Sequence, residues 1–351
     1  MIGKSLYDIS WKVTEEEYRA DPALSYSTLA RYEREGFNNL DKLFDKVESP
    51  SLTFGSAVDT LITGSEEEFN NQFMVAELSN ILSDTLVSIV KRLFDTFKET
   101  WGSLKEIPDE QILETISDIQ WNNHWLPKTR VNKIKEECAG YYNLLYLANG
   151  KTIISSAVYS DVLNTVDKLR SADSTKFFFE SNNAFDNTIE RYYQLKFKST
   201  FNRIDYRCMA DLIIVNHNRK IIIPVDLKTS SKYEWDFYKS FLDWNYYTQA
   251  RLYWRIIRDN LDKDPYFKEF TLVDYKFIVI NKKTLIPLVW SFDSTQSTGD
   301  LYLGKNKQIV IRDPFTIGEE LNKYLSDKPL VPNGINTDRP NTLEEWINKM
   351  E

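Results

Sequence analysis

The chain of 351 residues is poor in the residue types that bind transition metals or form covalent cross-links. It has two cysteines, Cys138 and Cys208, and two histidines, His124 and His217. These numbers exclude a disulfide scaffold, a four-cysteine zinc or iron–sulfur site and a metal site of several histidines. A chain of this length can bury a core that is large enough to fold without such links. We expect both histidines to be ordinary loop residues.

Long apolar runs and an excess of positive charge are also missing. No stretch approaches the ~20 apolar residues of a membrane span, and the start, MIGKSLYDIS, lacks the basic-then-apolar pattern of a signal peptide. The 44 Lys and Arg residues are outnumbered by 52 Asp and Glu residues, which gives a net charge of −8. This balance excludes a polycationic coat protein for nucleic acid. We expect a globular protein of the cytoplasm.

Apolar patterning separates helical stretches from strand-rich ones. Apolar residues at helical spacing dominate residues 1–180, and residues 234–260 are predicted to form one long helix. Five runs rich in β-branched and aromatic residues predict strands: 188–201, 206–216, 219–230, 273–281 and 284–293. The predicted fold class is therefore α/β (α+β), with a central mixed β-sheet flanked by helices.

These elements predict a division into three segments of one compact domain. The segments are an N-terminal helical region (1–180), a strand-rich core (181–300) and a C-terminal helix and tail (301–351). In the first segment, Ser25 or Ser27 is a helix cap and Gly36 a helix stop. The run from Gly55 to Asp59 predicts another helix start, in which small residues allow close approach to the sheet.

Aromatic residues make up 14% of the chain, which is a high share. Large aromatic side chains dominate protein cores. We therefore expect Trp235, Trp244 and Trp254 to pack in the core rather than to form platforms on which bases stack.

Positive charge is concentrated in one zone of this acidic chain. Residues 191–260 contain thirteen Lys and Arg residues against seven Asp and Glu residues. Such a zone is typical of a site for a polyanion, but ordinary solvated charge would give the same local balance. Charge alone leaves both interpretations open.

Two predicted neighbouring strands carry acidic residues that could converge on a cation. The strand YRCMADLIIV contains Asp211, and the strand IIIPVDLKTS contains Asp226 and Lys228. Carboxylate oxygens suit Mg²⁺ or Mn²⁺. Asp226 and Lys228 lie on the same face of a strand because side chains alternate. The ammonium group would thus lie beside the metal, where it could polarise the water that attacks a phosphodiester.

An Asp-x-Lys pair is by itself a weak signal, and the chain contains a second one, Asp274 and Lys276. We reject the second pair because no comparable strand before it supplies another acid. The first pair is followed by WNYYTQARLYWRIIRD, in which Gln249 and Tyr253 are four residues apart. On a helix this spacing places both on one face.

Taken together, these motifs resemble the PD-(D/E)XK nuclease superfamily, in its RecB/RecE-like branch, and most of all the phage-type exonuclease VIII domain. The resemblance covers residues 20–290. It begins at the Ser25-x-Ser27-x-Leu29 helix and continues through TFGSAVDTLITGSEEEFNNQFMVAE. It ends with the segments MADLIIV, VDLKTS and the Gln-x-x-x-Tyr motif. Each piece is unspecific, whereas the ordered set is specific.

The resemblance implies a role for each matched residue. Asp211 and Asp226 match the metal-binding acids, and the carbonyl group of Leu227 matches a backbone ligand. Lys228 matches the catalytic lysine. Gln249 and Tyr253 match the family's supporting motif near the DNA, and the alternative is that both residues pack the helix on the sheet. Glu190 matches an acidic residue on the first sheet strand less closely, and a solvated strand residue is the alternative.

Two positions depart from the family pattern. Asp59 stands where the family usually has a metal-binding histidine. Aspartate still suits Mg²⁺ or Mn²⁺, although its side chain is shorter. The alternative is an acid at a helix N-terminus, which the helix dipole favours. Ala210 stands where the superfamily's name has proline, at a position that needs only a small strand residue.

The implied activity is a metal-dependent exonuclease that hydrolyses one strand from the ends of duplex DNA for phage-type recombination. The resemblance favours 5′→3′ polarity, and the expected cofactor is Mg²⁺ or Mn²⁺ without an iron–sulfur cluster. A single-strand endonuclease or a CRISPR-adaptation nuclease of the RecB type is the first alternative. A catalytically inactive nuclease fold that binds DNA or a protein is the second. The residues alone leave polarity and the choice between DNA and RNA open.

Partners follow from the same resemblance. Duplex DNA ends are the expected substrate, and Arg251, Arg255 and Arg258 are the expected phosphate contacts because they follow Gln249 on one helix. A single-strand annealing protein and a homo-oligomeric ring are expected by analogy. The cellular location implied is the cytoplasm, in a bacterial host if the chain is encoded by a phage. No membrane association is expected.

Overall fold

The computed structural model describes most of the chain, and all statements below concern the described part. It comprises residues 4–36, 40, 42–44, 47, 49–77, 82–183, 185, 188–293, 299–302 and 308–326. The predicted C-terminal tail beyond residue 326 lies outside it. Within these ranges, no helix combines the length and the apolar composition that crossing a membrane would require.

The helices and strands of the described part are each numbered in chain order. The helices are α1 (Glu15–Ala20), α2 (Tyr26–Glu35), α3 (Pro50–Thr63), α4 (Glu66–Gln72), α5 (Asp84–Phe97), α6 (Asp109–Thr115), α7 (Pro127–Ala148), α8 (Ser156–Ser171), α9 (Phe237–Asp243), α10 (Tyr246–Asp262) and α11 (Pro314–Ser326). The strands are β1 (Phe73–Ala76), β2 (Thr152–Ser155), β3 (Ile189–Phe201), β4 (Ile204–Asn216), β5 (Ile221–Ser230), β6 (Thr271–Leu272), β7 (Tyr275–Asn281), β8 (Pro287–Phe292), β9 (Gly299–Tyr302) and β10 (Gln308–Ile311).

The chain folds into two compact units that differ from the predicted segments. The first unit comprises residues 1–55 and 165–351, and the second comprises residues 56–164. The chain thus leaves the first unit after Gly55 and returns to it at Thr165. Local composition could not indicate this division, because a unit made of two distant stretches is defined by contacts between them.

The second unit is mainly helical, as its apolar spacing predicts. Helices α5, α6 and α7 surround a buried core that includes Ile89, Leu93, Ile134 and Tyr142. Strands β1 and β2 add a short parallel pair. The unit is held together by ordinary apolar packing, which accounts for most helix stability in proteins.

The first unit contains the predicted mixed sheet. Among the described residues, the main sheet has the strand order β3-β4-β5-β7-β8, and β6 pairs with β5. The β5–β7 and β5–β6 pairs are parallel, whereas β3–β4, β4–β5 and β7–β8 are antiparallel. Helix α10 lies against β3, β4 and β7. The five predicted strands and the fold class are confirmed.

Local signals also place one helix cap correctly. Ser25 caps α2, its side chain accepting a hydrogen bond from the Thr28 amide group, and Gly36 ends the helix with a φ of 62°. A left-handed φ favours glycine, because a Cβ atom would meet the backbone there. Of the two predicted caps, Ser25 is therefore the one that the fold uses.

The prediction of one continuous helix over 234–260 is wrong. Helix α9 ends at Asp243 and α10 begins at Tyr246, with Asn245 between them in the left-handed conformation at a φ of 55°. Asparagine adopts this conformation more readily than most residues. The apolar spacing runs through the break, so periodicity alone could not detect it.

We expect Asn245→Ala to be less stable than Asn245→Gly by about 1 kcal/mol. Both variants lose the side-chain oxygen that accepts a hydrogen bond from the Tyr247 hydroxyl group at 3.0 Å. Their difference therefore isolates the backbone conformation. Urea unfolding with equal slopes measures it. In a helix interior alanine is more stable than glycine by ~1 kcal/mol. If Asn245→Ala were the more stable variant, the break between α9 and α10 at Asn245 would be contradicted.

Strand β5 has different neighbours along its two halves. It pairs with β4 only up to the pair Leu212–Val225, whereas it continues beside β7 as far as Ser230. Strands β4 and β5 therefore separate at Asp211 and Asp226. We call this separation the fork.

Strand β4 also changes its buried face at the fork. Ala210 and Ile213 belong to the same core cluster, although they are three positions apart. Strict alternation would place them on opposite faces. On the adjacent strand β3, Gln194 has a left-handed φ of 51°. Both strands are thus irregular at the level of Asp211.

Two of the three tryptophans that we expected in the core are on the surface. Trp235 is 70% exposed and Trp244 is 51% exposed. Trp254 is packed against the core, and its indole nitrogen donates a hydrogen bond to the Val273 carbonyl group at 3.1 Å. The prediction is therefore wrong for Trp235 and Trp244. Trp235 lies in a short 3₁₀ turn and Trp244 lies in the turn that follows α9, where aromatic composition does not report burial.

Candidate active site

The structure brings Asp211, Asp226 and Lys228 together at the fork. Asp226 is 2% exposed, and its Oδ2 atom lies 2.6 Å from the Lys228 ammonium nitrogen. The two side chains share a face of β5, as the Asp-x-Lys spacing predicts. An ion pair that is buried to this degree needs further hydrogen bonds, because removing the charges from water is costly.

Asp211 is linked to β5 through the backbone. Its Oδ2 atom accepts a hydrogen bond from the Leu227 amide group at 2.8 Å. In a continuous sheet this amide group would donate its hydrogen bond to a backbone carbonyl group of β4. Because β4 and β5 have separated here, it donates to the Asp211 carboxylate instead. The bond fixes the first acid beside the segment that carries the second.

Gln249 holds the second acid from the opposite side. Its Nε2 atom donates a hydrogen bond to Asp226 Oδ1 at 2.5 Å, and the glutamine is 3% exposed. Helix α10 supplies this contact because it packs on the sheet next to the fork. The resemblance implied a supporting role for Gln249, and the structure shows its hydrogen bond to Asp226.

Lys228 lies in an environment that keeps it charged. Its ammonium nitrogen is 4.9 Å from the centre of the Tyr246 ring. Burial lowers the pKa of Lys228, but the carboxylate of Asp226, the neighbouring Tyr246 and the carboxylate of Asp211 outweigh burial and raise the pKa above its ordinary value. At neutral pH the side chain is therefore a cation that can stabilise negative charge, and it is not a proton acceptor.

Sequence analysis did not identify Tyr246 as part of this group. The tyrosine precedes Gln249 by three residues on α10, so both lie on one helix face. The same spacing argument that paired Gln249 with Tyr253 would have found it. Burial raises the pKa of Tyr246, and Asp226 adds to this effect while Lys228 opposes it.

The oxygen atoms at the fork fit a hard divalent cation. Gln249 Oε1 is buried and accepts no hydrogen bond from the described residues. Two carboxylates and the Leu227 carbonyl group are present, whereas no group of three or more histidine, cysteine or acidic side chains that could hold a metal ion occurs in the described part. Mg²⁺ is commonly held by one or two carboxylates together with waters and substrate phosphates. The oxygen donors at the fork are thus of the kind that suits Mg²⁺ or Mn²⁺.

Tyr253 belongs to the buried core of the first unit. It is 8% exposed, and its ring packs edge to face against Tyr275 at 6.2 Å. Burial raises the pKa of Tyr253 well above its ordinary value. These contacts correspond to the packing alternative for the motif, and a role of Tyr253 near the DNA stays a prediction.

Two of the three arginines predicted to bind DNA are engaged within the protein. Arg251 is 7% exposed, and its guanidinium group lies 5.9 Å from the centre of the Phe292 ring. Arg258 donates a hydrogen bond to the Phe270 carbonyl group at 2.7 Å and forms an ion pair with Asp262. Arg255 is the exposed member of the three. The fold thus buries Arg251 and pairs Arg258 within the protein, because a helix inside a fold buries most of its faces; phosphate contacts of the three arginines stay a prediction.

The structure does not bring Glu190 to the fork. Glu190 pairs with Val215, which is four residues, or about 13 Å of strand, beyond Asp211. Its carboxylate binds the Tyr192 hydroxyl group at 2.5 Å and the His217 Nε2 atom at 2.7 Å. The metal-ligand prediction for Glu190 is therefore corrected to a structural contact, in which His217 also takes part.

Asp59 lies on α3 in the second unit. Helix α3 begins at Pro50, so Asp59 is beyond the first turn, and the alternative of a helix-terminal acid is wrong. Gly55, which belongs to the first unit, approaches the sheet as predicted: an added Cβ atom would lie 3.1 Å from Thr229 Oγ1. Metal binding by Asp59 stays a prediction.

Comparisons with known proteins give little similarity. No family model matches the chain, and no curated protein matches it. One solved structure, described as "Putative exonuclease" from Eubacterium rectale, is 12% identical and has a TM-score of 0.39. The similarity covers 90% of this chain and 84% of that chain. At this TM-score it is too remote to support a conclusion about function.

Proposed function

We propose that the fork is the active site of a nuclease that hydrolyses DNA with the help of Mg²⁺ or Mn²⁺. The observation that carries the proposal is the contact set around Asp226, in which Lys228, Gln249 and the neighbouring Asp211 meet in one buried group. A divalent cation bound here would be held by Asp211, Asp226 and the Leu227 carbonyl group. When bound, such an ion activates water and stabilises charge on a phosphoryl group.

The side chains around the proposed cation would stabilise charge and orient the metal-binding acids. Lys228 supplies a fixed positive charge beside the acids, where negative charge grows on the phosphate during hydrolysis. Gln249 orients Asp226, and the Leu227 amide group orients Asp211. Because these groups are held before substrate binds, little reorganisation is needed during the reaction.

The substrate that we propose is the end of duplex DNA, degraded as by an exonuclease of the RecE type in 5′→3′ direction. The support is the resemblance of the ordered motifs, and the contacts at the fork agree with it. A single-strand endonuclease would use the same group. A catalytically inactive fold would also contain the Asp226–Lys228 ion pair, so activity must be measured directly.

The experiment uses purified protein with Mg²⁺ on linear duplexes labelled at either the 5′ or the 3′ end, beside a closed circle. We expect early release of the 5′ label as mononucleotide and an intact circle. Cleavage of the circle would contradict an exonuclease. No hydrolysis of any substrate with Mg²⁺ or Mn²⁺ would contradict a nuclease.

We expect Gln249→Leu to reduce hydrolysis and Mn²⁺ affinity by about 10- to 100-fold, since partners that orient ligands have effects of this size. The variant keeps the side-chain volume but leaves Asp226 Oδ1 without its donor. Initial rates and calorimetric Mn²⁺ titration measure the two losses. Asp259→Asn, at a partly exposed position on the same helix, is the matched control. Unchanged rates and affinity for Gln249→Leu would show that the hydrogen bond is not needed.

A further inference from the structure

Two aromatic rings stand on the surface just after the strand that carries Asp226 and Lys228. Tyr233 is 50% exposed and Trp235 is 70% exposed. Their ring centres are 4.7 Å apart and their planes differ by 9°, so the rings are stacked on each other. Exposed aromatic rings of this size are costly to leave in water, and stacked rings present a flat apolar face.

The segment that bears these rings is anchored to the end of β7. Asn281 donates a side-chain hydrogen bond to the Lys232 carbonyl group at 2.7 Å. The Thr284 hydroxyl group also binds the Glu234 carboxylate. The two contacts hold the residues on both sides of Tyr233, one through the backbone and one through a side chain. The aromatic pair is therefore held in place by the sheet that forms the fork.

Exposed lysines lie on both of the segments that this anchor joins. Lys232, Lys282 and Lys283 are all exposed on the two anchored segments. Of the nearby acids, Asp236 forms an ion pair with Lys239 at 2.7 Å, whereas Glu234 accepts a hydrogen bond from Thr284 and keeps its charge. Stacking rings together with lysines are the two elements with which proteins bind unpaired nucleic acid strands.

The distance to the proposed active site suits a short stretch of one strand. From Asp226 to Ser230, β5 covers about 13 Å, and the aromatic segment follows directly. A single strand that runs from the fork along β5 would therefore reach the aromatic segment within a few nucleotides.

We propose that the Tyr233–Trp235 pair is a stacking site for the bases of an unpaired DNA strand next to the active site. The proposal rests on the proposed function, because it takes DNA as the ligand. Bases stack on the exposed ring faces, while Lys232, Lys282 and Lys283 bind the phosphates. A protein bound at the same rings would be the alternative occupant. Only a DNA ligand would depend on the presence of bases, so removing the bases distinguishes the two.

The test compares oligothymidylate with an abasic oligonucleotide of the same length, in Ca²⁺. Both carry the same phosphates, so a preference for oligothymidylate measures base stacking. We expect the parent protein to prefer it by about tenfold, because stacking on aromatic side chains has this order of magnitude. Trp235→Ala and Tyr233→Ala should each lose most of the preference. Tyr7→Ala is the matched control, since Tyr7 is 52% exposed and packs on Tyr192 of β3.

Three results would overturn the stacking site: equal binding of the two oligonucleotides by the parent protein, an unchanged preference in both variants, or an equal loss in Tyr7→Ala. Hydrolysis of duplex DNA in Mg²⁺ is measured separately on the parent protein. Its absence would contradict the proposed function, whereas the binding preference in Ca²⁺ decides the stacking site alone.

Discussion

Lys228→Met is expected to reduce DNA hydrolysis by about a thousandfold while the protein still binds Mn²⁺. The methionine keeps the length of the side chain and removes the ammonium group that lies 2.6 Å from Asp226 Oδ2. Loss of one group that stabilises charge in a transition state typically costs 10²–10³ in rate, and about as much again if it also assists proton transfer. Lysine is not a metal ligand, so metal binding should persist.

Asp226→Asn should abolish hydrolysis for a different reason. The amide group keeps the shape of the side chain but loses the negative charge that would hold the cation. A ligand that binds only the folded state raises the melting temperature by mass action. Mn²⁺ should therefore stabilise Lys228→Met as it stabilises the parent, whereas it should stabilise Asp226→Asn much less. Thermal melts with and without Mn²⁺ distinguish the two variants.

The second Asp-x-Lys pair of the chain provides the matched control. Lys276 donates a hydrogen bond to Ser291 Oγ at 2.8 Å on the next strand, away from any second acid in the described contacts. Lys276→Met should leave hydrolysis within about twofold of the parent rate, as for surface changes outside the site. Equal losses in Lys228→Met and Lys276→Met would assign the effect to a general loss of positive charge and would contradict the active site.

Gly318→Leu is expected to lower the free energy of unfolding by about 3 kcal/mol, since overpacking a core costs this much. Gly318 lies on α11, where a Cβ atom would be 2.8 Å from two ring carbons of Tyr206 on β4 and closer still to its hydroxyl oxygen. Both residues are buried. The contact joins the last described helix to the sheet, so the variant should unfold at lower urea concentration with an unchanged slope.

A double-mutant cycle tests the cause of this loss. The Tyr206 hydroxyl group is buried and has no hydrogen-bond partner among the described residues. Tyr206→Phe should therefore be neutral or slightly stabilising. In the Tyr206→Phe background, Gly318→Ala should cost less than it does in the parent, because the nearest atom is gone. Equal costs in both backgrounds would show that the hydroxyl group does not limit the packing at Gly318.

The strands and the central acids were predictable because their signals are local. The Asp-x-Lys spacing fixes which face of a strand both residues share, and β-branched runs fix the strands. Gln249 was identified through the resemblance of its Gln-x-x-x-Tyr motif, which is also a local signal. These features depend on residues within one turn or one strand, so the tertiary structure did not alter them.

The differences between prediction and structure concern residues whose surroundings depend on distant parts of the chain. The register of β3 against β4 places Glu190 beside His217, and local sequence does not determine that register. The packing of α10 buries Arg251, although the same residue on an isolated helix would be exposed. Trp235 is exposed for the converse reason, since no later element of the described chain covers it. The type of a residue and its local spacing therefore do not determine whether its side chain is buried by a distant part of the chain.

The hydrogen bond from the Leu227 amide group to Asp211 makes this amide a reporter of the site. An amide proton exchanges with solvent when its hydrogen bond opens, and local opening is governed by the stability of that bond rather than of the whole domain. The neighbouring amide groups of β5 are held by β7, whereas this one depends on a carboxylate. Protonation of Asp211 or a cation on its oxygen atoms would change the exchange of Leu227 first. The fork thus couples the chemistry of a side chain to the backbone dynamics of a single residue.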